Sequence, residues 1–367
     1  METNKLSEVP LVNTILLSAD KEGISKAAKV IAAGGLVAFP TETVYGLGGN
    51  ALEADASQRI YAAKGRPSDN PLIVHIASTD SVYELASNVP EKAKMLMEAF
   101  WPGPLTIILP KADIVPDETT GGLKTVAIRM PSHPAALSLI QESGVYIAAP
   151  SANLSGKPSP TTAQHVADDL TGRIDVILDG GPVGIGIEST IVDLTEEIPT
   201  ILRPGFITKK MLENIVGTVN IDKAIIHPDP NLRPKAPGMK YTHYAPKGSL
   251  SIIEDKEKPS EVTENVINKI NSLLDEYHMK EDSHKSNTKV VVLTTADNAK
   301  SYNTDNLILL GEDDSGKTVC SKLYAALREC DKLNADYILS ESFNRDELGG
   351  AIMNRLLKAA GQHVIYV

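Results

Sequence analysis

Short apolar runs, each closed by a turn-forming residue, alternate with stretches of helical period along most of the chain. Residues 21–33 set Ile24, Ala27, Ala28 and Ile31 near one helix face, with Gly34 as the stop. Leu36-Val37-Ala38-Phe39 follows as a strand halted by Pro40. The hydroxyl- and glycine-rich stretch 41–49 reads as a turn, 54–63 as a helix and 72–76 as a second strand. Thr79-Asp80-Ser81 offers N-cap chemistry for a helix over 80–87, and Pro90 opens another that ends near Trp101. Strands at 105–109 and 125–129 flank a loop over 113–122. A helix at 134–143 then precedes a buried strand at 145–149. A helix from Thr162 to about Leu170, strands at 176–178, 189–193 and 200–202, and a short helix at 208–214 complete this half.

Residues 217–250 lose the helical period and hold several prolines beside a Lys/Tyr/His cluster, which marks a linker. Beyond it, strands at 250–253, 289–294, 307–310, 337–340 and 363–367 alternate with helices at 260–278, 317–330 and 350–360. That alternation predicts a small three-layer parallel sheet. The charged tract 275–288 reads as a solvated loop. The chain is therefore read as α/β throughout, with domains at 15–215 and 249–367 joined by 216–248.

Charge narrows the function classes. The net charge is −11 over 367 residues. Residues 1–247 carry 22 basic and 27 acidic side chains, and 248–367 carry 14 and 20. Both halves are acidic, which disfavours a chain whose main work is wrapping nucleic acid, since that affinity comes from Lys and Arg on phosphates. A small anion held in a local basic pocket is still allowed. Cys320 and Cys330 fall on one predicted helix, about 15 Å apart at 1.5 Å per residue, too far for a disulfide. No apolar run reaches 18 residues and the first 20 are polar-interrupted, so the chain reads as cytoplasmic and reduced, with no membrane span.

Candidate chemistry gathers at strand ends. Lys64-Gly65-Arg66 leaves the helix over 54–63, and two cations so placed can neutralise a polyphosphate. The strand at 145–149 opens into a polar loop carrying Ser151 and Asn153. Polar loops at strand ends are where open α/β sheets place ligands. Taken singly, each residue also fits an ordinary β-turn-α unit with a surface basic pair. GGPVGIG at 180–186 lacks the third glycine of a dinucleotide fingerprint and runs into a strand pattern, so that reading is rejected. Gly311–Thr318 satisfies G-x-x-x-x-G-K-[ST] formally, but its three acidic side chains oppose phosphate. Trp101 reads as a packing residue and no Cys/His or carboxylate cluster suggests a metal cage.

PTETVYGLG at 40–48, KGRPSDNPLIVH at 64–75 and SANLSG at 151–156 resemble, in order and length, the YrdC-like threonylcarbamoyl-AMP synthase family. The resemblance covers about residues 20–210. The remainder is similar to the C-terminal domain of the family's two-domain branch, joined by APGMKYTHYAP at 236–246. It implies an N-terminal twisted open sheet and a smaller Rossmann-like C-terminal domain. It implies ATP as a substrate held by Lys64, Arg66, Asn70, Thr125, Ser151, Asn153, Arg203, Tyr241 and Tyr244, with Lys64 and Arg66 catalytic. It further implies a threonine site at Thr43, His75, Arg129 and Ser189, with no residue assigned as general base. The partners implied are L-threonine, bicarbonate or carbon dioxide, the downstream tRNA threonylcarbamoyl transferase machinery and weak contact with tRNA. Magnesium would be carried on the phosphates. Two rivals compete. A carbamoyl transferase of hydrogenase maturation would need an acylphosphatase region and zinc-finger cysteine pairs, which this sequence lacks; a non-catalytic RNA-binding module would bind RNA without consuming ATP.

Overall fold

The computed structural model describes residues 12–226, 234–237, 243–284, 288–311, 316–343 and 347–367. The chain divides into two compact units: Met1–Ser155, Thr162–Pro182 and Arg233–Pro237 form the first, and Gly156–Thr161, Val183–Leu232 and Gly238–Val367 the second.

In chain order the first unit holds β1 (Ile15–Ser18), α1 (Lys21–Ala32), β2 (Val37–Phe39), β3 (Gly46–Asn50), α2 (Ala54–Lys64), β4 (Ile73–His75), α3 (Val82–Leu85) and α4 (Glu91–Phe100). There follow β5 (Leu105–Pro110), α5 (Asp117–Thr120), β6 (Thr125–Arg129), α6 (Pro134–Ser143), β7 (Ile147–Ala149), α7 (Ala163–Leu170) and β8 (Val176–Asp179). Its strands run in the order β1-β8-β2-β3-β7-β4-β6-β5. β8 is parallel to β1 and β2, and β4 is parallel to β6, while β2–β3, β3–β7, β4–β7 and β5–β6 are antiparallel. α1 begins where the Asp20 carboxylate accepts from the Gly23 N–H at 2.9 Å. Its stripe of Ile24, Ala27, Ala28 and Ile31 packs with Ala136, Leu139 and Ile140 of α6 over Val37, Phe39, Ile147 and Leu178. Each large aliphatic side chain so buried contributes about 1.5–3 kcal/mol.

In the first unit three elements differ from the sequence reading. The glycine-rich stretch is not all turn, because Gly46–Asn50 forms β3 in the middle of the sheet. A Cβ on Gly48 would stand 2.6 Å from Ile147 Cγ2 and 2.8 Å from the Phe39 ring, so glycine admits the close approach of its neighbours. The segment read as a loop over 113–122 contains α5, closed by Gly121 in the left-handed region at φ 59°. β1, with Ile15 and Leu16 exposed, adds an edge strand that its polar-interrupted sequence did not announce.

The second unit holds β9 (Thr190–Asp193), β10 (Thr200–Arg203), α8 (Lys209–Val216), β11 (Asn220–Ile221), α9 (Lys223–Ile226), β12 (Ser249–Glu254) and α10 (Glu264–His284). It continues with β13 (Val290–Thr294), β14 (Leu307–Leu309), α11 (Gly316–Lys332), β15 (Tyr337–Glu341), α12 (Gly349–Ala359) and β16 (Val364–Tyr366). β9 and β10 pair antiparallel, and β10 and β11 parallel. A separate five-stranded sheet, all parallel, runs β14-β13-β15-β12-β16, the expected α/β layer. Val266, Ile270 and Leu274 of α10 cover Ile253, Val290, Val292 and Leu339. α10 continues to His284, so much of the tract read as a solvated loop is helical. Glu, Lys and Met are good helix formers, and polarity alone does not break a helix. Cys320 and Cys330 lie buried as thiols on α11. At the end of β15 the fully buried Glu341 accepts from Thr294 Oγ1 at 2.6 Å and the Tyr302 hydroxyl at 2.7 Å. Burial pushes that carboxyl above its ordinary range. Among the described residues no helix is long and apolar enough to cross a membrane.

Candidate active site

In the first unit the end of α2 assembles a cation with two strand-end residues. Lys64 is the last helical residue, and Gly65 at φ 62° terminates the helix and turns the chain toward Arg66. The Lys64 ammonium donates to the backbone carbonyls of Ser151 and Asn153, at 2.5 Å each. Ser151 Oγ donates to Asn153 Oδ1 at 2.6 Å, and the Ser155 N–H returns a bond to the Lys64 carbonyl at 2.9 Å. Lys64, Ser151 and Asn153, far apart in sequence, are thus one constellation. Arg66 lies beside its neighbour Asn70: its Nε and Nη2 donate to the Asn70 carbonyl, and Nη2 also to Pro71 at 3.1 Å. The Asn70 side-chain oxygen is buried with no hydrogen-bond partner among the described residues. Thr125 opens β6, half-buried opposite Pro110. The two cations do not sit as surface charges: Lys64 is 2% exposed and Arg66 9%.

A second group forms where the β2–β3 turn meets β4 and β6. Thr41 Oγ1 donates to the Val44 carbonyl at 2.6 Å and accepts from the Thr43 N–H at 3.2 Å, while the two threonine hydroxyls stand 2.9 Å apart. That local net fixes Thr43, which is fully buried. His75 and Arg129 are register partners on parallel β4 and β6. Burial, and then the Arg129 charge, push the His75 imidazole down to about 3, so the ring is neutral in the working pH range. Its Nδ1–H donates to the Ile73 carbonyl at 3.0 Å, and Phe39 meets its ring edge-on. Arg129 Nη2 pairs with Glu42 Oε1 at 2.7 Å, while Glu42 Oε2 accepts from the Ser132 N–H. The buried Arg129 Nε has no hydrogen-bond partner among the described residues.

The remaining predicted residues belong to the second unit. Arg203 Nε donates to the Ser189 carbonyl at 3.0 Å and Nη2 to Ser189 Oγ at 3.2 Å, joining β10 to the start of β9. Beside them Glu188, 6% exposed, takes the Tyr324 hydroxyl at 2.8 Å, Ser159 Oγ at 2.6 Å and Arg355 Nε at 3.2 Å. Burial alone would raise the Glu188 carboxyl, but Arg355 and Arg203 outweigh it and hold the group at about 2. Tyr244 is buried with its ring 5.0 Å from Tyr324, at a left-handed φ of 67°. Tyr241 lies outside the described residues, as do residues 312–315 of the formal P-loop match.

Sequence reasoning missed Glu42, Thr41, Glu188 and Arg355. For Glu42 the only signal was its place between two threonines in the turn that carries Thr43, with nothing local to name Arg129 as its partner. Glu188 and Arg355 had none, because the pair spans 167 positions. Among the described residues no group of three His, Cys, Asp or Glu side chains could hold a metal ion.

Comparison with known proteins gives this geometry its context. A family model described as "Telomere recombination" matches residues 29–205, and one described as "Threonylcarbamoyl-AMP synthase, C-terminal domain" matches residues 207–361. The chain is 51% identical to a threonylcarbamoyl-AMP synthase of Bacillus subtilis, covering 95% of this chain and 96% of that one. It is 48% identical to one of Pyrococcus abyssi, covering 93% and 95%. The crystal structure of P. abyssi Sua5 complexed with L-threonine matches with a TM-score of 0.87 and 46% identity over 96% of this chain and 99% of that one. Likeness of this extent in sequence and structure shows that the chain belongs to the threonylcarbamoyl-AMP synthase family.

Proposed function

We propose that the chain is an L-threonylcarbamoyladenylate synthase that condenses L-threonine, bicarbonate or carbon dioxide, and ATP, releasing pyrophosphate. The observation that carries this reading is the full-length likeness to named synthases together with a threonine-bound relative of the same fold. The threonine amine captures carbon dioxide to give an N-carboxy group. That carboxylate attacks the α-phosphorus of ATP and expels pyrophosphate. Such chemistry rests on alignment and charge stabilisation and needs no covalent protein nucleophile.

Each group has a part in this scheme. Arg129 offers a planar fork to the threonine carboxylate, and Thr43, His75 and Ser189 line the rest of that ligand. A neutral His75 suits packing and hydrogen bonding, not charge. Lys64, whose position two carbonyls fix, and Arg66 offset charge on the phosphates, assisted by Asn70, Thr125, Ser151, Asn153 and Arg203. Tyr241 and Tyr244 of the linker segment are assigned to the nucleotide. Magnesium enters on the phosphates of ATP. The scheme divides the chain into a catalytic domain at 15–215, a linker at 216–248 and a C-terminal domain at 249–367. Its product serves tRNA threonylcarbamoyl transferase machinery in the cytoplasm, with at most weak contact to tRNA.

The test is pyrophosphate release from radiolabelled ATP with bicarbonate. Release should require threonine, and serine, short of one methyl, should lose about 1–3 kcal/mol of transition-state binding. Release that persists unchanged without threonine would sink the assignment. ATP-independent, salt-sensitive RNA binding in its place would favour the RNA-binding alternative.

A further inference from the structure

Arg355 of α12 is fully buried, and its guanidinium makes four contacts in the second unit. Nε pairs with Glu188 Oε2 at 3.2 Å, and Nη2 donates to the Glu188 backbone carbonyl at 3.2 Å. Nη1 donates to the Pro204 carbonyl and, at 3.3 Å, to Ala351 one turn back on its own helix. The Glu188 carbonyl belongs to the peptide that leads into Ser189. The Pro204 carbonyl lies one residue beyond Arg203. Those two residues are already tied together by the Arg203–Ser189 bonds. One planar group therefore grips the chain on the far side of both, and Glu188, braced by Tyr324 and Ser159, locks the guanidinium in place. Arg355 comes from the stretch matched by the C-terminal family model, and everything it grips outside its own helix comes from the stretch matched by the other. Space is tight here as well: a Cβ on Gly205 would stand 2.6 Å from the Thr190 nitrogen and 2.9 Å from the Glu188 carbonyl oxygen.

We propose that Arg355 is a positioning residue for the synthase reaction, the group through which the C-terminal segment sets Ser189 for threonine and Arg203 for ATP. The inference rests on the synthase reading above. Arg355 touches neither substrate. It acts by fixing two peptide planes, and a fork that spans both carbonyls is a task lysine cannot copy. Loss of the fork lets Ser189 and Arg203 drift, so both substrates bind less well, while turnover at saturation falls less because Lys64, Arg66 and Arg129 are untouched.

The experiment compares wild type, Arg355→Lys and the charge-neutral pair Glu188→Gln/Arg355→Gln in the full chain. Glu341→Gln serves as a control for general loss of stability in the second unit. Threonine-dependent release by wild type establishes the reaction, and its absence would overturn the synthase reading itself. With wild type active, folded Arg355→Lys and the folded double variant should each show KM for threonine and for ATP raised about fivefold or more. Glu341→Gln should change neither KM, even if it melts earlier. Wild-type KM values in either folded variant would overturn the inference. So would an equal KM rise in Glu341→Gln, or failure of both variants to fold, because Arg355 would then serve the fold alone.

Discussion

Glu42 Oε1 stands 2.7 Å from Arg129 Nη2, with side chains only 14% and 5% exposed, so the cation expected to clamp the threonine carboxylate is already ion-paired. The pair aims the guanidinium and keeps its charge compensated before a ligand arrives. Glu42→Ala should therefore weaken threonine binding about thirtyfold or more while ATP binding changes little, since truncating one member of a buried pair costs about 2–5 kcal/mol. Calorimetric titration with each substrate measures the split. Unchanged threonine affinity in a folded Glu42→Ala protein would remove Glu42 from the site.

The buried setting of Lys64 changes what its removal should do. Lys64→Ala should cut turnover strongly, by on the order of 2–4 kcal/mol of transition-state stabilisation if the phosphate assignment holds. It should also destabilise the fold by about 1–3 kcal/mol, because the Ser151 and Asn153 carbonyls lose their donor. Arg66→Ala should follow the same direction through Asn70 and Pro71. Thermal melts beside pyrophosphate assays check both: wild-type rates would remove Lys64 from the catalytic assignment, and an unchanged melt would deny it the structural one.

His75 predicts a pH slope. Its imidazole drops from an ordinary 6.5 to about 3 in the folded chain. Between those values the unfolded chain binds a proton that the native state refuses, so stability is full above pH 6.5 and falls as pH drops toward 3. His75→Asn should flatten the melting temperature against pH across that window relative to wild type. Parallel curves for the two proteins would mean that His75 is protonated in the native state.

Gly205→Ala should destabilise the protein by about 1–3 kcal/mol, since its methyl would meet backbone atoms of Thr190 and Glu188 that have no side-chain freedom to yield. Denaturant unfolding measures it. A wild-type midpoint would show that the β9–β10 segment can shift.

What could be read from the sequence follows the range of the interactions. α1, α2 and β4 are legible because capping, apolar stripes and Pro or Gly stops act within a few residues. Lys64, Ser151 and Asn153 each stand at an element end where α/β sheets gather ligands, but it is the family resemblance that sets them together. β3 was hidden because glycine is a poor strand former on average, and only the Ile147 and Phe39 neighbours show why it fits. The last turns of α10 are not legible because a charged tract fits a solvated helix as well as a loop. Glu42–Arg129 and Glu188–Arg355 are tertiary pairs, and no local pattern announces which acid meets which base.

The separation of Arg355 from its partners also sets a schedule for synthesis. The two carbonyls it grips lie 167 and 151 positions earlier. At roughly 5–20 residues per second, a ribosome needs on the order of 8–30 s to pass from one to the other. Through that interval Glu188 and the strands beside it are already made but lack the Arg355 guanidinium. Contacts of such long range form late and leave strand edges open meanwhile. A nascent chain that has completed its sequence through Arg203 thus still waits for α12 before the Glu188 carboxylate and the Pro204 carbonyl gain their common donor.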